Sequence, residues 1–228
     1  MERLICETRA VGSFSEAMAA MQDAADAHAH LLNIGKDRMY DDFCALWMLA
    51  RCRLYLRRLP LAAPRVETFL RRPTPVVSLR DFNLYDGDER VGTAVQSWVL
   101  ANAQTRKLID MRKVPPLWEI RTPTPERTEQ LRHIALPKQT EIVGTWTVSE
   151  AEIDSNGHCN NAQYMRQAER FAPPDCNTAE IIYERECFLG QTLELTGAFS
   201  DGAYFLRGMR ADEESFRVRF YTAAEPNL

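Results

Sequence analysis

The sequence predicts an α+β fold made of two similar units, each an antiparallel sheet wrapped around one long helix. The order strand, helix, antiparallel meander occurs twice along the 228 residues, and a stretch with four prolines, residues 114–126, lies between the two occurrences. A sheet and a helix each bury one apolar face, so a sheet curled around a helix gives each half its core. We therefore predict an N-terminal unit over residues 1–113, a linker over residues 114–137 and a C-terminal unit over residues 138–228.

The first unit opens with a predicted strand over residues 3–11, followed by an alanine-rich helix. Ser13 and Glu16 have the spacing of a capping box, which marks a helix start. Apolar residues then recur at three- and four-residue spacing, which gives the helix one buried face. Gly35 is the expected end of this helix.

An antiparallel meander follows in the first unit. The segment 43–59 has helical character at first and then alternates polar and apolar residues, which favours a strand. Asp86 and Gly87 separate two β-rich runs and predict a hairpin turn. Residues 102–107 predict a second turn.

The second unit repeats this order. Residues 139–148 predict a strand and residues 160–171 a helix. Four short β-rich segments follow, "AEIIYEREC", "TLELTGAFS", "AYFLRGMRA" and "SFRVRFYTA", and turn residues such as Asp201 and Gly202 separate the last three.

Composition excludes several classes of protein. A net charge of −4 gives no basic field for nucleic acid. No apolar run reaches the roughly 18 residues of a membrane span, and the N-terminal "MERLICETRA" lacks the pattern of a secretory signal. Six scattered cysteines without a CxxC pair indicate reduced thiols and a cytoplasmic location. His158 has no second His or Cys at ligand spacing, so we expect no metal and no other cofactor.

One stretch, "DSNGHCNN" at residues 154–161, concentrates chemically active side chains between a strand and a helix. The free N–H groups at the start of a helix stabilise negative charge that develops on a carbonyl oxygen. Asn160 or Asn161 is expected to cap that helix and to form such an oxyanion site. Each residue also has a structural interpretation: the asparagines as turn residues and His158 as a hydrogen-bonded core histidine.

The stretch resembles the Asp-x-Asn-x-His-x-Asn-Asn signature of acyl-acyl-carrier-protein thioesterases. "YEREC" at residues 183–187 resembles a second element of that family, and "SLRDFNLYDGD" and "QSWVLANAQTRK" resemble its N-terminal meander. The resemblance implies a tandem hotdog fold. It also implies hydrolysis of fatty acyl groups carried on the phosphopantetheine arm of acyl carrier protein.

The resemblance places Asp154 and Glu186 near Asn156 and His158. We expect Glu186 to be the base that activates water and Asp154 to orient or charge the site, although the two roles can be exchanged. Asn156 and His158 would hold the water and the thioester carbonyl. A covalent alternative uses Cys187 as a nucleophile with His158 and Asn156; otherwise Cys187 is a packing residue.

The resemblance implies that the first unit selects the acyl chain, and Met18, Met21, Ala25 and Trp47 are candidates for its pocket. Core packing is the alternative for each of them. Arginines cluster between residues 51 and 72, either as a docking face for the acidic carrier protein or as the wet side of a sheet. Two further functions stay open: an acyl-CoA thioesterase and a non-catalytic acyl-binding protein. The sequence is compatible with a homodimer.

Overall fold

The computed structural model describes residues 3–120, 131–154 and 156–224. Within them the strands are β1 (Leu4–Glu7), β2 (Ala45–Leu56), β3 (Pro64–Leu70), β4 (Ser78–Asp86), β5 (Glu89–Asn102), β6 (Glu141–Thr147), β7 (Thr178–Tyr183), β8 (Thr192–Ser200), β9 (Ala203–Arg210) and β10 (Glu213–Tyr221). They form one antiparallel sheet in the order β1-β3-β4-β5-β2-β7-β10-β9-β8-β6. The predicted α+β fold is confirmed.

The strands of the two halves meet at a single seam. Strand β2 pairs with β7 in the register Arg51 to Ile182 through Tyr55 to Thr178. The first five strands lie on one side of this seam and the last five on the other. We keep the division of the chain into units 1–113 and 138–228 as a proposal.

Helix α1 (Phe14–Leu31) supplies the core of the first half. The Ser13 side chain caps it by accepting the Glu16 N–H at 3.2 Å, while the Glu16 carboxylate accepts the Gly12 N–H at 2.6 Å. The capping side chain is therefore as predicted, but the return bond from Glu16 goes one residue further back. The buried face of α1 packs into the main core of the protein.

The predicted helix end at Gly35 is wrong. Helix α1 stops at Leu31, where Asn33 takes a left-handed φ of 65° and turns the chain. Gly35 instead caps the next helix, α2 (Lys36–Phe43). A Cβ at residue 35 would lie 2.7 Å from the Nδ1 atom of His30, so a larger residue here would require the His30 side chain to move.

The meander turns are as predicted. Gly87, with φ of 61°, lies in the turn between β4 and β5. In the second turn the Asn102 side chain accepts the Gln104 and Thr105 N–H groups at 3.2 and 2.8 Å. Strand β5 ends at this Asx turn because the Asn102 side chain, rather than a neighbouring strand, accepts the next backbone N–H groups.

Among its described residues the second half contains no long helix, contrary to the prediction. Helix α4 (Asn161–Ala168) has 8 residues, against 18 in α1. The chain leaves α4 through a 3-10 turn, Glu169–Phe171, and Ala172 is extended because Pro173 follows it. The two helices are nevertheless connected, because the Ser15 N–H and hydroxyl donate to the Glu169 carboxylate at 3.0 and 2.6 Å.

The described parts of the predicted linker are packed rather than extended. Helix α3 (Pro115–Trp118) buries Leu117 beside Val114 in a small second core. Ile134 is buried with residues of the second half. Apolar side chains between the prolines explain the difference, while residues 121–130 lie outside the described part.

None of the helices in the described part of the chain combines the length and apolarity that crossing a membrane requires.

Candidate functional site

A cavity of about 560 Å³ lies between the two halves, and the sequence motif opens onto it. The C-terminal part of α1 and strands β2, β4 and β5 line it from the first half. Three parts of the second half also line it: the loop of the sequence motif at residues 154–160, called the motif loop below, the start of α4, and the segment after β7. Residues used below that line it are Ala25, Trp47, Arg80, Asp154, Asn156, His158, Asn160, Asn161, Glu184 and Glu186.

Asp154 organises the motif loop. Its Oδ1 accepts the N–H groups of Asn156 at 2.8 Å and His158 at 3.3 Å, and its own N–H donates to the His158 carbonyl at 2.8 Å. The Asn156 amide donates to Asp154 Oδ2 at 3.3 Å. Gly157 has a φ of 79°, which a glycine adopts without strain. The loop thus presents Asn156 and His158 to the cavity on a hydrogen-bonded frame.

Glu186 lies between a histidine and an arginine. Its Oε1 is 3.4 Å from His158 Nδ1, and its Oε2 is 3.4 Å from an Arg106 guanidinium nitrogen. Phe188 contacts the His158 ring edge to face, with ring centroids 5.0 Å apart. The predicted pair His158 and Glu186 is therefore in contact.

Arg106 was not predicted as a site residue. It belongs to the "QTRK" segment that carried part of the family resemblance, but its position in a turn gave no sign of a contact 80 residues further along the chain. It comes from the turn that follows β5, so the first half contributes a charge to the site of the second.

Glu152, also missed from the sequence, holds the motif loop from beneath. This buried carboxylate accepts bonds from the Trp146 indole (3.1 Å), the Ser149 N–H and hydroxyl (2.8 and 2.9 Å) and the Gln167 amide (2.9 Å). Burial alone would raise the pKa of Glu152, but these donors together hold it below its ordinary value. The Glu152 carbonyl accepts the Asn160 N–H at 2.9 Å, which connects the cluster to α4.

Asn160 is the residue that caps α4. Its side-chain oxygen accepts the Ala162 N–H at 2.9 Å. Asn161 is the first residue of the helix, and its carbonyl accepts the Tyr183 hydroxyl at 2.9 Å. Both asparagines line the cavity, so the start of α4 opens onto it.

Cys187 lies behind the site. Its side chain is fully buried and is not part of the cavity wall. Its N–H donates to the Tyr164 hydroxyl and its carbonyl accepts the Cys159 N–H, both at 2.8 Å. Within the described part of the chain, the ionisable partner of the His158 imidazole is Glu186 rather than this thiol.

The candidates for the acyl pocket divide into two pairs. Ala25 and Trp47 line the cavity, and the Trp47 indole donates to the Ile34 carbonyl at 2.9 Å. Met18 and Met21 are buried in the main core and do not contribute to the lining. They lie nearer the start of α1, whereas the cavity borders its later turns.

The arginine cluster does not form a free basic face. Five of the seven arginines pair with carboxylates in the described structure: Arg53 with Glu180, Arg57 with Glu89, Arg58 with Asp86, Arg65 with Asp88 and Arg71 with Asp81. These pairs weaken the case for docking an acidic partner here. Among the described residues no cluster of three or more His, Cys, Asp or Glu side chains has the arrangement of a metal site.

The continuous sheet shared by the two halves, its helices and the cavity between the halves define the chain as a tandem hotdog protein. An acyl-ACP thioesterase from Bacteroides thetaiotaomicron has this fold, with a TM-score of 0.83 and 19% identity over 96% of this chain and 97% of that one. The 12:0-ACP thioesterase from Umbellularia californica gives a TM-score of 0.78 and 18% identity over 96% of both chains.

Sequence comparison points to similar proteins. Residues 9–114 match the acyl-ACP thioesterase N-terminal domain. The chain is 26% identical over 163 residues to the chloroplastic oleoyl-acyl carrier protein thioesterase of Coriandrum sativum, and the match covers 62% of this chain and 44% of the relative. The match thus spans less than half the length of that relative. The first half of the chain is therefore similar to the acyl-ACP thioesterase family.

Proposed function

We propose that the protein hydrolyses fatty acyl-acyl-carrier-protein thioesters to a free fatty acid and the carrier protein. The observation that carries this proposal is the contact between Glu186 and His158 at the wall of a cavity large enough for an acyl chain. The printed names of the relatives, an oleoyl-acyl carrier protein thioesterase and a 12:0-ACP thioesterase, support the substrate class.

In the proposed reaction Glu186 removes a proton from water, and the water oxygen attacks the thioester carbon. Arg106 lies 3.4 Å from the Glu186 carboxylate and would help to hold it beside His158. The start of α4 stabilises the charge on the carbonyl oxygen. The carbon–sulfur bond then breaks, and the departing thiolate takes up the proton that Glu186 removed from water, so that pantetheine leaves as the thiol and Glu186 is a carboxylate again.

The assignment of Glu186 rather than Asp154 as the base rests on their hydrogen bonds. Both oxygens of Asp154 accept bonds within its own loop, two of them from backbone N–H groups. A carboxylate used in this way fixes backbone geometry and is poorly placed to take a proton. Within the described residues the Glu186 carboxylate has the side chains of His158 and Arg106 as its ion-pair partners and accepts no backbone hydrogen bond, so we give Asp154 the orienting role.

The covalent alternative has less support. A nucleophilic thiol must reach the carbonyl carbon, whereas Cys187 is fully buried behind the cavity wall. We therefore assign Cys187 to packing. A cytoplasmic location and a homodimer both stay predictions.

The test is release of free fatty acid from acyl carrier protein loaded with chains of different length, and from the same acyl groups on CoA. Wild type is compared with Glu186→Gln and His158→Ala. Glu184→Gln is the matched control, because Glu184 also lines the cavity and is exposed. We expect Glu186→Gln and His158→Ala to lose at least a hundredfold in turnover and Glu184→Gln to stay close to wild type.

Faster hydrolysis of the CoA substrates would replace the carrier-protein assignment with an acyl-CoA thioesterase. Acyl binding without hydrolysis on either carrier would make the chain a binding protein.

A further inference from the structure

Two tyrosines tie the start of α4 to the segment that carries Glu186, and the proposed reaction uses neither of them. Tyr164 lies on α4, and Tyr183 is the last residue of β7. Both line the cavity. Their rings meet edge to face, with centroids 5.5 Å apart and an interplanar angle of 89°. One aromatic contact therefore joins the two elements that would supply the base and the oxyanion site.

The Tyr164 hydroxyl holds the peptide that follows Glu186. It accepts the Cys187 N–H at 2.8 Å. Cys187 is fully buried, so water cannot take the place of the tyrosine. Burial raises the pKa of Tyr164 far above its ordinary value, and a bond between its hydroxyl and the Cys187 side chain acts in the same direction. The phenol therefore stays neutral and can accept and donate at the same time.

The Tyr183 hydroxyl holds α4 in return. It donates to the carbonyl of Asn161, the first residue of the helix, at 2.9 Å. Tyr183 lies three residues before Glu186. Tyr164 lies three residues after Asn161. Each tyrosine thus stands on one of the two elements and holds the other, which fixes the separation between the Glu186 segment and the start of α4.

The Tyr164 ring is fixed independently of its hydroxyl. Trp146 and Phe216 contact it edge to face, with ring centroids 5.4 and 5.3 Å away. Because these contacts need only the ring, Tyr164→Phe should keep the fold and remove the hydroxyl alone. A loss of turnover in that variant then reports the hydrogen bond to Cys187.

We propose that Tyr164 and Tyr183 are positioning residues that set the distance between the base and the oxyanion site; this role rests on the proposed hydrolysis. Tyr164 acts through the peptide of Cys187. Tyr183 acts through the peptide of Asn161. The water activated by Glu186 must reach the carbonyl polarised at α4, and a misplacement of about 1 Å can cost roughly a hundredfold in rate. In this role neither hydroxyl transfers a proton.

The kinetic test compares wild type with Tyr164→Phe and Tyr183→Phe on the same acyl-carrier-protein substrates. We expect Tyr164→Phe to lower kcat about ten- to a hundredfold with KM nearly unchanged, because a buried N–H loses its acceptor. Tyr183→Phe should lose only a few-fold, since the Asn161 carbonyl keeps the N–H that it accepts within the helix. Wild-type kcat in a folded Tyr164→Phe would overturn the proposal.

Tyr221→Phe is the matched control. The Tyr221 hydroxyl donates to Glu180 at 2.7 Å, and Tyr221 does not line the cavity. This variant also loses a hydroxyl hydrogen bond and should melt at a lower temperature, yet its kcat should stay at the wild-type value. An equal fall in kcat for Tyr221→Phe and Tyr164→Phe would show that loss of stability, rather than positioning, slows the reaction.

Two unreactive pantetheine ligands separate positioning from binding. An amide, with nitrogen in place of the thioester sulfur, resembles the substrate. A difluoroketone, with a CH₂ group in place of the sulfur, forms a hydrate that resembles the tetrahedral intermediate. We expect Tyr164→Phe to bind the amide like wild type and the difluoroketone at least about tenfold more weakly. Equal weakening of both ligands would assign a merely structural role to Tyr164 and overturn the proposal.

Wild-type turnover separates the two proposals. Hydrolysis by wild type together with an unchanged Tyr164→Phe would keep the thioesterase and remove the positioning role. No hydrolysis by wild type on any carrier would remove the thioesterase, and the positioning role with it.

Discussion

The Glu152 cluster gives a prediction whose size can be worked out from individual hydrogen bonds. Oε1 accepts from the Trp146 indole and the Gln167 amide, and Oε2 accepts from the N–H and hydroxyl of Ser149. The Trp146 indole also lies 3.2 Å from Oε2. We compare Glu152→Gln, which keeps the shape and removes the charge, with Glu152→Ala, which removes all the acceptors.

Glu152→Gln is expected to cost about 1–2 kcal/mol in the free energy of unfolding. If the new amide places its oxygen at the Oε2 position, Ser149 and Trp146 keep an acceptor. Gln167 can rotate its own amide to present oxygen to the new NH₂ group, which gives up the exposed bond that this oxygen accepts from Arg170. The loss is that exposed bond together with the difference between charged and neutral hydrogen bonds. Glu152→Ala leaves the Trp146 and Ser149 N–H groups without an acceptor, which should cost about 3–5 kcal/mol.

The assay is denaturant unfolding followed by tryptophan fluorescence and circular dichroism. Glu150→Gln serves as the control, because Glu150 lies on the same 3-10 turn but is exposed, and it should stay within about 0.5 kcal/mol of wild type. Equal losses for Glu152→Gln and Glu152→Ala would refute the bond-by-bond reasoning. A neutral Glu152→Gln would show that the charge does not stabilise the cluster.

Three further predictions concern the site. Folding lowers the pKa of Glu152, so the charged carboxylate contributes its full stabilisation of the folded state above the unfolded-state pKa and loses it as pH falls through the lower folded-state pKa. Unfolding measured over a range of pH should therefore show wild type losing more stability than Glu152→Gln from about pH 5 downward. Asn160→Ala should lower the free energy of unfolding by about 1 kcal/mol, more than Asn161→Ala, and a reversed order in denaturant melts would show that Asn160 is not the effective cap. Cys187→Ala should retain hydrolytic turnover while melting at a lower temperature, because it leaves a small cavity; complete loss of turnover in a folded variant would restore the covalent mechanism.

The sequence predicted the parts of the fold that depend on neighbouring residues. The strands of the second half, the turn at Gly87 and the cap at Asn160 follow from two-residue alternation, turn chemistry and side-chain capping. The predicted helix end at Gly35 was wrong because a glycine that caps the next helix and a glycine that ends the previous helix have the same local sequence pattern.

The sequence predicted part of the candidate site, because some of its residues are also neighbours along the chain. Asp154, Asn156 and His158 lie within five positions, so a motif finds them together. Arg106 approaches Glu186 only because the two halves of the sheet meet around one cavity. Arg80, which lies on β4, also lines that cavity. Contacts between residues far apart in sequence depend on the tertiary fold, which a single sequence does not specify by pattern.

The seam between β2 and β7 has a consequence for how the chain is made. More than 120 residues separate the paired positions Arg51 and Ile182. During synthesis β2 is therefore complete long before its partner exists, and its outer edge is a template for pairing with other chains. Arg51 and Arg53 lie on that edge, and charged side chains on an open strand oppose such pairing. In the folded protein Arg51 donates to the Leu131 carbonyl and Arg53 pairs with Glu180, so the same two side chains that oppose mispairing of the open strand also form contacts in the finished fold.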